Sequence, residues 1–269
     1  MPSSKKIATL LLTLAMVGCT GRADLATSTS GPSGGDPVGC PRSGDEIETA
    51  RLYIEYNAAD GDTGVHGIFG GEAWTELCIW SPEGELILHV TPEGRLGDLG
   101  VSDLFFESRE PTEDEYSIPE LMGDFPEGPY LVGATDFEGV ARVASASFTH
   151  SIPAAPLITS PAVAPDEESA SDTPVERSGL EVAWEPVQED IEGASVSIVS
   201  YEVIVTKVEH EDPDANSLPV YDVHVGPDVR SLEIAADFLE PETLYELEVL
   251  AIEESGNQTI GLGFFTTNG

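Results

Sequence analysis

The sequence has very few positive charges. Lysine and arginine together number 11 against 50 aspartates and glutamates, which leaves a formal net charge of −39. Nucleic-acid binding depends on cationic contacts with phosphates and on the release of counterions, so this composition excludes nucleic acid as a partner. Two interpretations of the excess acid stay open: solvation in salty surroundings, or sites for divalent cations.

The sequence also lacks the motifs of common enzyme classes. It has no Gly-x-Ser-x-Gly elbow, no His-Glu-x-x-His helix and no glycine loop that cradles phosphate. None of the histidines has the close spacing of a zinc motif, although assembly across strands, especially of His210 with His224, remains an alternative. The five are His66, His89, His150, His210 and His224. We predict a non-enzymatic protein that needs no cofactor, with solvated strand histidines.

No hydrophobic run near the N terminus reaches the roughly 20 residues of a membrane-spanning helix. Lys5 and Lys6 precede an apolar stretch of 11 residues, Ile7 to Val17, which is the length of a signal-peptide core. The stretch ends in Val17-Gly18-Cys19. This pattern resembles the lipobox of bacterial lipoproteins, although Met16 stands where leucine is usual.

The lipobox resemblance implies that Cys19 is lipidated after removal of a signal peptide, residues 1–18. Two or more acyl chains hold a protein stably on a membrane, so the expected first partner is the membrane itself. Thr20 follows the cysteine where an aspartate would favour the inner membrane. We therefore expect a bacterial cell-envelope location, with the outer membrane or surface favoured. Ordinary secretion is the alternative.

Cysteine is scarce after Cys19, and only Cys40 and Cys78 remain. Residues 19–44 contain almost no large apolar side chains, so they predict a flexible tether. The oxidising envelope permits a disulfide between Cys40 and Cys78, and the alternative is two isolated thiols.

Residues 45–150 alternate apolar and polar side chains in several short runs, which predicts β-strands. Two hairpins are expected, one connecting residues 74–80 with 86–90 and one connecting 130–134 with 140–148. Between them, Ser117 and Glu120 have the spacing of a helix start. We interpret 45–150 as a β-sandwich of no recognised family, with Trp74 and Trp80 in its core.

Residues 151–269 carry landmarks of a known family. Trp184 ends an alternating run, and Leu239-Glu240-Pro241-Glu242-Thr243-Leu244-Tyr245 comes before another. The set resembles a fibronectin type III domain, including its Leu-x-Pro-x-Thr-x-Tyr corner. The resemblance implies that the Tyr245 hydroxyl bonds to upstream backbone, with Leu239 and Pro241 completing the corner. The polar segment 162–178 departs from the pattern and is expected to be a mobile loop.

The best candidate for a metal site is Asp60-Gly61-Asp62, since two carboxylates on a glycine-bent loop can offer oxygens to Ca²⁺. The bidentate glutamate of a calcium loop is missing at the expected spacing, and the same residues suit a tight turn. Both interpretations are retained.

These observations predict an all-β protein of two tandem β-sandwiches, fibronectin type III-like in the second, behind a signal peptide and a tether. We expect an envelope-anchored binding, interaction or spacer module with an unknown protein or glycan partner. One alternative is a calcium- or carbohydrate-dependent surface adhesin. Another is an enzyme with an unrecognised site on the first sandwich.

Overall fold

The computed structural model describes residues 39–172, 174–209 and 220–269. The predicted signal peptide, Cys19, most of the tether and His210 lie outside these residues. No helix within the described residues has both the length and the apolar character needed to cross a membrane.

The described residues are mostly β-strand, and they form two sandwiches in tandem. The N-terminal sandwich contains seven strands: β1 Asp45–Glu46, β2 Thr49–Asn57, β3 Asp62–Trp80, β4 Leu86–Val90, β5 Val101–Glu107, β6 Gly128–Asp136 and β7 Ala141–Phe148. Its two short helices are α1 Gly94–Leu99 and α2 Ile118–Asp124. The C-terminal sandwich contains β8 Ile158–Ser160, β9 Glu181–Trp184, β10 Ile198–Lys207, β11 Val220–Val225, β12 Ser231–Glu233, β13 Leu244–Glu253 and β14 Gln258–Thr266. The predicted fold class is confirmed.

The long strand β3 builds both layers of the N-terminal sandwich. Its first part pairs with β2 and β5, and its last part, from Trp74 onward, pairs with β4 and β6. The register shifts between Gly70 and Trp74, where Gly71 has a φ of +150° that favours glycine. This bend lets β2 pack against β7. The enclosed core contains Leu52, Ile54, Phe69, Leu77, Ile79, Tyr130, Val132 and Phe148.

The C-terminal sandwich has the strand arrangement of a fibronectin type III-like fold. One sheet has the order β12-β9-β8, and the other runs β14-β13-β10-β11. Alternate residues of β10 and β13 face the core, because side chains of a strand alternate between its two faces. This core contains Val182, Trp184, Tyr201, Val203, Val205, Leu247, Val249 and Phe265.

One sheet continues from the first sandwich into the second. Residues Gln258 to Ile260 of β14 pair in parallel with Glu55 to Asn57 of β2. The resulting strand order is β1-β7-β6-β3-β2-β14-β13-β10-β11. The two hydrophobic cores are separate, but their sheets share a hydrogen-bonded edge.

Several local predictions are confirmed. β3 pairs with β4 and β6 with β7, which are the two expected hairpins. Ser117 caps α2 in a capping box: its side chain accepts from the Glu120 backbone N–H, and the Glu120 carboxylate accepts from the Ser117 backbone N–H at 2.9 Å. The three tryptophans, Trp74, Trp80 and Trp184, are buried.

Two segments are more ordered than their composition predicts. In segment 162–178, backbone bonds join Ala164 to Phe264 in both directions, and Val175 N–H donates to Thr266. Ala170 of this segment is buried, at 2% exposed. Together with the backbone bonds, this burial docks the segment on β14. The interpretation of a mobile loop is therefore wrong for its described part.

The end of the predicted tether is also attached to the fold. Arg42 lies over the Trp80 ring at 4.6 Å, and Thr135 donates to the Gly39 carbonyl at 3.1 Å. Gly44 passes so close to Ala141 that a β-carbon there would clash with its carbonyl. A tether extending to residue 44 is a wrong boundary, since residues 39–44 pack against β6, β7 and β3.

Candidate functional site

Asn257 is the centre of the junction between the sandwiches. Its side-chain oxygen accepts from the Ile54 N–H at 2.8 Å, and its amide nitrogen donates to the carbonyls of Thr149 and Ser151 at 3.0 and 3.1 Å. The residue is fully buried. It therefore bridges β2, β14 and the segment that follows β7, at the place where the β2–β14 ladder ends.

Neighbouring side chains extend the same junction. Thr259 donates its hydroxyl to the Pro153 carbonyl at 2.6 Å, and Gln258 bonds to the Glu55 carboxylate. Thr149 and Ser255 share a hydroxyl–hydroxyl bond at 2.7 Å. Because buried polar groups are costly when they are unpaired, this network holds the two sandwiches in one relative position.

Cys40 and Cys78 are joined by a disulfide whose Cα atoms lie 6.0 Å apart. The bond attaches the residues that follow the tether to β3. Glu76 and His89 lie beside it, with the His89 Nε2 2.9 Å from Glu76 Oε1. The two sulfurs, Glu76 and His89 form one group of potential metal ligands when the thiols are free.

A second group of titratable side chains lies on the outer face of β2 and β3. His66 is 3% exposed, and its Nε2 is 3.0 Å from Glu110 Oε1. Its Nδ1 is 3.8 Å from Glu55 Oε2. One ligand atom from each of the three residues lies within 4.8 Å of the others. We call Glu55, His66 and Glu110 the His66 cluster.

The local sequence explains why these three meet. His66 and Gly64 lie on one face of β3, opposite Tyr53 and Glu55 of β2. A β-carbon on Gly64 would lie 2.8 Å from Glu110 Cγ, so glycine leaves the space that the Glu110 side chain fills. The Tyr53 ring packs on the His66 ring with centroids 5.4 Å apart. Aromatic packing and the missing side chain at Gly64 therefore orient the cluster.

Asp62 lies on the same face of β3 as His66 and is 7% exposed. Its carboxylate accepts no hydrogen bond from any other described residue. Asp60 is exposed and bonds to the Asn57 amide at 3.2 Å. Within the described residues, neither Asp60 nor Asp62 belongs to a group of three potential metal ligands. The candidate pair is thus divided between an exposed turn and the neighbourhood of the His66 cluster.

Electrostatics in this region favour bound protons or a bound cation. Burial and the charges of Glu110 and Asp60 raise the pKa of Asp62 to about 6. Burial also raises the pKa of Glu55, against the opposing charge of His66. Burial alone would disfavour the charged imidazole, but the bond to Glu110 and the charge of Glu55 raise the pKa of His66. The carboxylates outnumber the single cation that His66 supplies.

The acidic face continues onto the C-terminal sandwich. Burial and a hydrogen bond with Asp222 raise the pKa of Glu202 to about 8. Burial, followed by the charges of Glu246, Glu55 and Glu202, raises the pKa of Glu248 to about 8. His224 is mostly exposed and lies 3.2 Å from Glu202 Oε1, which makes a group of Glu202, Asp222 and His224.

A cleft of about 330 Å³ opens on the opposite face of β3. Its walls include Thr63, Val65, Ser108, Tyr116 and Leu121. Arg109, also in its wall, pairs with Glu115 at 2.8 Å. The size is that of a small-ligand site, and β3 separates it from the His66 cluster.

The corner residues lie as the family resemblance implies. The Tyr245 hydroxyl accepts from the Glu240 N–H at 2.8 Å, and Leu239 is buried beside it. The Pro241 carbonyl accepts a hydrogen bond from the Thr243 hydroxyl at 2.9 Å. These residues stabilise the turn that leads into β13.

Sequence reasoning missed the His66 cluster. Its members come from β2, from β3 and from the segment after β5, so no short motif contains them. The available signal was the alternation Asp62-x-Gly64-x-His66, which places two polar side chains on either side of a glycine on one strand face. The expectation that the strand histidines are solvated is wrong for His66, because Glu110 and Tyr53 cover it.

No family model matches the sequence, and no curated protein matches it. Among solved structures, the chain is similar to the FN1–FN3 domains of chicken CNTN1, with 13% identity, a TM-score of 0.33 and coverage of 84% of this chain. It is also similar to a tetra-tandem repeat in the extending region of a large adhesion protein, with 12% identity, a TM-score of 0.27 and coverage of 82%. A third is a bacterial ice-binding adhesin, with 12% identity, a TM-score of 0.27 and coverage of 81%. The chain spans 65%, 50% and 64% of those three chains.

Proposed function

We propose that this protein is a lipid-anchored, non-enzymatic module of the bacterial cell envelope whose two sandwiches carry a binding surface as one rigid body. The observation that carries the proposal is the junction. The parallel pairing of β2 with β14 and the buried Asn257 network leave the two sandwiches no free hinge. A spacer or presenting module needs this property, because a hinged pair would let the two sandwiches move independently of each other.

The anchor half of the proposal rests on the sequence. Cys19 ends a signal-peptide-like run, and the folded part begins by residue 39. From its composition we expect the intervening segment of about 20 residues to be a flexible tether, which would span about 25 Å at roughly 5–6 Å times the square root of residue number. Such a tether keeps the sandwiches near the membrane while they remain able to reorient as one body.

Exposed apolar side chains support a binding role. Leu96 and Leu99 are exposed on α1, and Leu99 is 75% exposed. Phe137 is also exposed and lies against Gly100, the residue that ends α1. Large exposed apolar groups near one another are typical of interaction surfaces. We propose this surface, formed by Leu96, Leu99 and Phe137, as the contact for an envelope protein or glycan.

Anchoring is tested by comparing the wild-type full chain with Cys19→Ala. The expected result is a lipid mass increment and membrane partitioning in the wild type, with both lost in the variant. An unmodified wild-type protein that fractionates as soluble would overturn the anchor.

Rigidity is tested by spin labels at two exposed positions, Glu83→Cys and Asp237→Cys, with the disulfide intact. We expect one narrow distance distribution, which broadens when Asn257→Ala is added. A broad distribution without that substitution would refute the fixed junction.

Partner binding is tested by a photo-crosslinking residue at Leu99, with the same residue at exposed Glu254 as control. Discrete envelope adducts at position 99 and none at 254 are expected. Equal labelling at both positions would contradict a specific surface.

A further inference from the structure

The His66 cluster has a ligand set suited to a transition-metal dication. It offers one imidazole and two carboxylates, whose ligand atoms lie within 4.8 Å of one another. Zn²⁺ binds imidazole nitrogen and carboxylate oxygen at about 2.0–2.2 Å, and an open position is filled by water. Ca²⁺ takes 6–8 oxygens and avoids nitrogen, so this set fits a Ca²⁺ ion poorly.

Asp62 gives an independent reason to expect a cation. It is 7% exposed, lies on the face of β3 that carries His66, and receives no hydrogen bond from another residue among those that the structure describes. Its only donor among the described residues is its own backbone N–H, and a mostly buried carboxylate with a single donor is poorly compensated. Its strongest charged neighbour is Glu110, a member of the cluster. A dication at the cluster would compensate this charge.

The count of charges around the cluster also favours a bound cation. With His66 protonated, Glu55, Asp62 and Glu110 leave two uncompensated negative charges in a poorly solvated place. The charges of Glu107 and Asp60, which also act on His66 and Asp62 respectively, are acidic as well. No lysine or arginine pairs with Glu55, Asp62 or Glu110 among the described residues.

The scaffold around the cluster is preorganised. Gly64 leaves the space for Glu110, Tyr53 packs on the His66 ring, and Gln258 bonds to Glu55. Ligands held by packing and by outer hydrogen bonds bind metal more tightly than freely rotating ones. We propose that Glu55, His66 and Glu110 bind one zinc-like transition-metal dication, with Asp62 as an adjacent third carboxylate. This site is independent of the proposed anchoring and presenting function.

The test is zinc titration of the tag-free full chain against a chromophoric chelator, with X-ray absorption of the loaded protein. We expect one tightly bound Zn²⁺ per chain that about a hundredfold excess of Ca²⁺ does not displace. The absorption spectrum should show nitrogen and oxygen ligands only. His66→Gln should weaken binding by more than the roughly 100-fold that loss of an outer-shell partner costs.

Matched controls assign the site. His224→Gln removes an exposed histidine from a similar carboxylate group and should leave the tight site unchanged. Glu110→Gln changes a residue outside any strand, so it keeps the test valid if His66→Gln fails to fold; it should also weaken binding. Circular dichroism checks each variant for folding.

Three results would overturn the proposal. The first is the absence of saturable binding in the wild type. The second is a loss of binding in His224→Gln equal to that in His66→Gln, which would place the ion on β10 and β11. The third is a sulfur ligand at about 2.3 Å, which would assign the ion to a cysteine site instead of the His66 cluster.

Discussion

The substitution Asn257→Ala examines the junction most directly. It removes the acceptor of the Ile54 N–H at 2.8 Å and the donations of the amide nitrogen at a fully buried position. Those donations go to the Thr149 carbonyl and hydroxyl at 3.0 and 3.1 Å and to the Ser151 carbonyl at 3.1 Å. Each buried group left without a partner costs about 1–3 kcal/mol. Because water can enter part of the vacated space, we expect the free energy of unfolding to fall by about 4 kcal/mol in total.

The assay is urea unfolding of the full chain carrying Cys19→Ala, followed by fluorescence of the three tryptophans, which lie in both cores. Amide hydrogen exchange supplies a local readout, since the Ile54 N–H loses its acceptor and should exchange faster. Asn257→Asp keeps that acceptor and loses the donations of the amide nitrogen, so Ile54 should stay protected while stability still falls.

Asn57→Ala is the matched control. Asn57 also bonds to backbone, accepting from Ala59 at 3.0 Å and Asp60 at 3.3 Å, but its bonds are exposed. Water replaces exposed bonds, so we expect a loss below about 1 kcal/mol. A loss below about 1 kcal/mol for Asn257→Ala as well, or unchanged exchange at Ile54, would refute the argument that this side chain secures the junction.

Three further outcomes are expected. Removing the disulfide by Cys40→Ala with Cys78→Ala should lower the free energy of unfolding by up to about 4 kcal/mol for a separation of 38 residues, and a reductant should then have no effect on the double variant. Burial raises the pKa of Glu248 from 4.5 to about 8, so the native chain holds a proton that the unfolded chain releases, and stability should fall as pH rises from 5 to 8. Glu248→Gln should flatten that fall and add about 2 kcal/mol at pH 8 after allowance for partial solvation, whereas exposed Glu254→Gln should not; a parallel pH profile would contradict the assignment. Tyr245→Phe leaves the Glu240 N–H without its acceptor and should cost about 1–2 kcal/mol in thermal or urea melts, more than Tyr221→Phe, whose hydroxyl bond is 3.5 Å long.

Local chemistry made much of the fold predictable. Period-two alternation located β9, β13 and the last part of β3, and the spacing of Ser117 and Glu120 located α2. The corner before β13 was recognisable because a short contiguous motif forms it. Each of these signals depends on neighbours within a few residues, so the sequence displays them directly.

Composition gave the wrong prediction for two segments in which a few contacts hold a mostly polar stretch of chain against the fold. Segment 162–178 is mostly polar, yet Ala170 and the backbone bonds of Ala164 and Val175 dock it on β14. Residues 39–44 have the composition of a tether, yet a disulfide and an arginine–tryptophan contact attach them. Average hydrophobicity does not register single anchoring contacts.

The sequence by itself determined the all-β class, the acidic character, the landmarks of the second sandwich and the expectation of a lipid anchor at Cys19. Only the tertiary structure decided that Asn257 unites the sandwiches and that Glu55, His66 and Glu110 meet over Gly64. These contacts join residues far apart in the chain: Asn257 and Ile54 are 203 positions apart, and His66 and Glu110 are 44 apart. A local pattern specifies which face of a strand a side chain occupies, but strand pairing and sheet bending decide which distant side chain lies beside it.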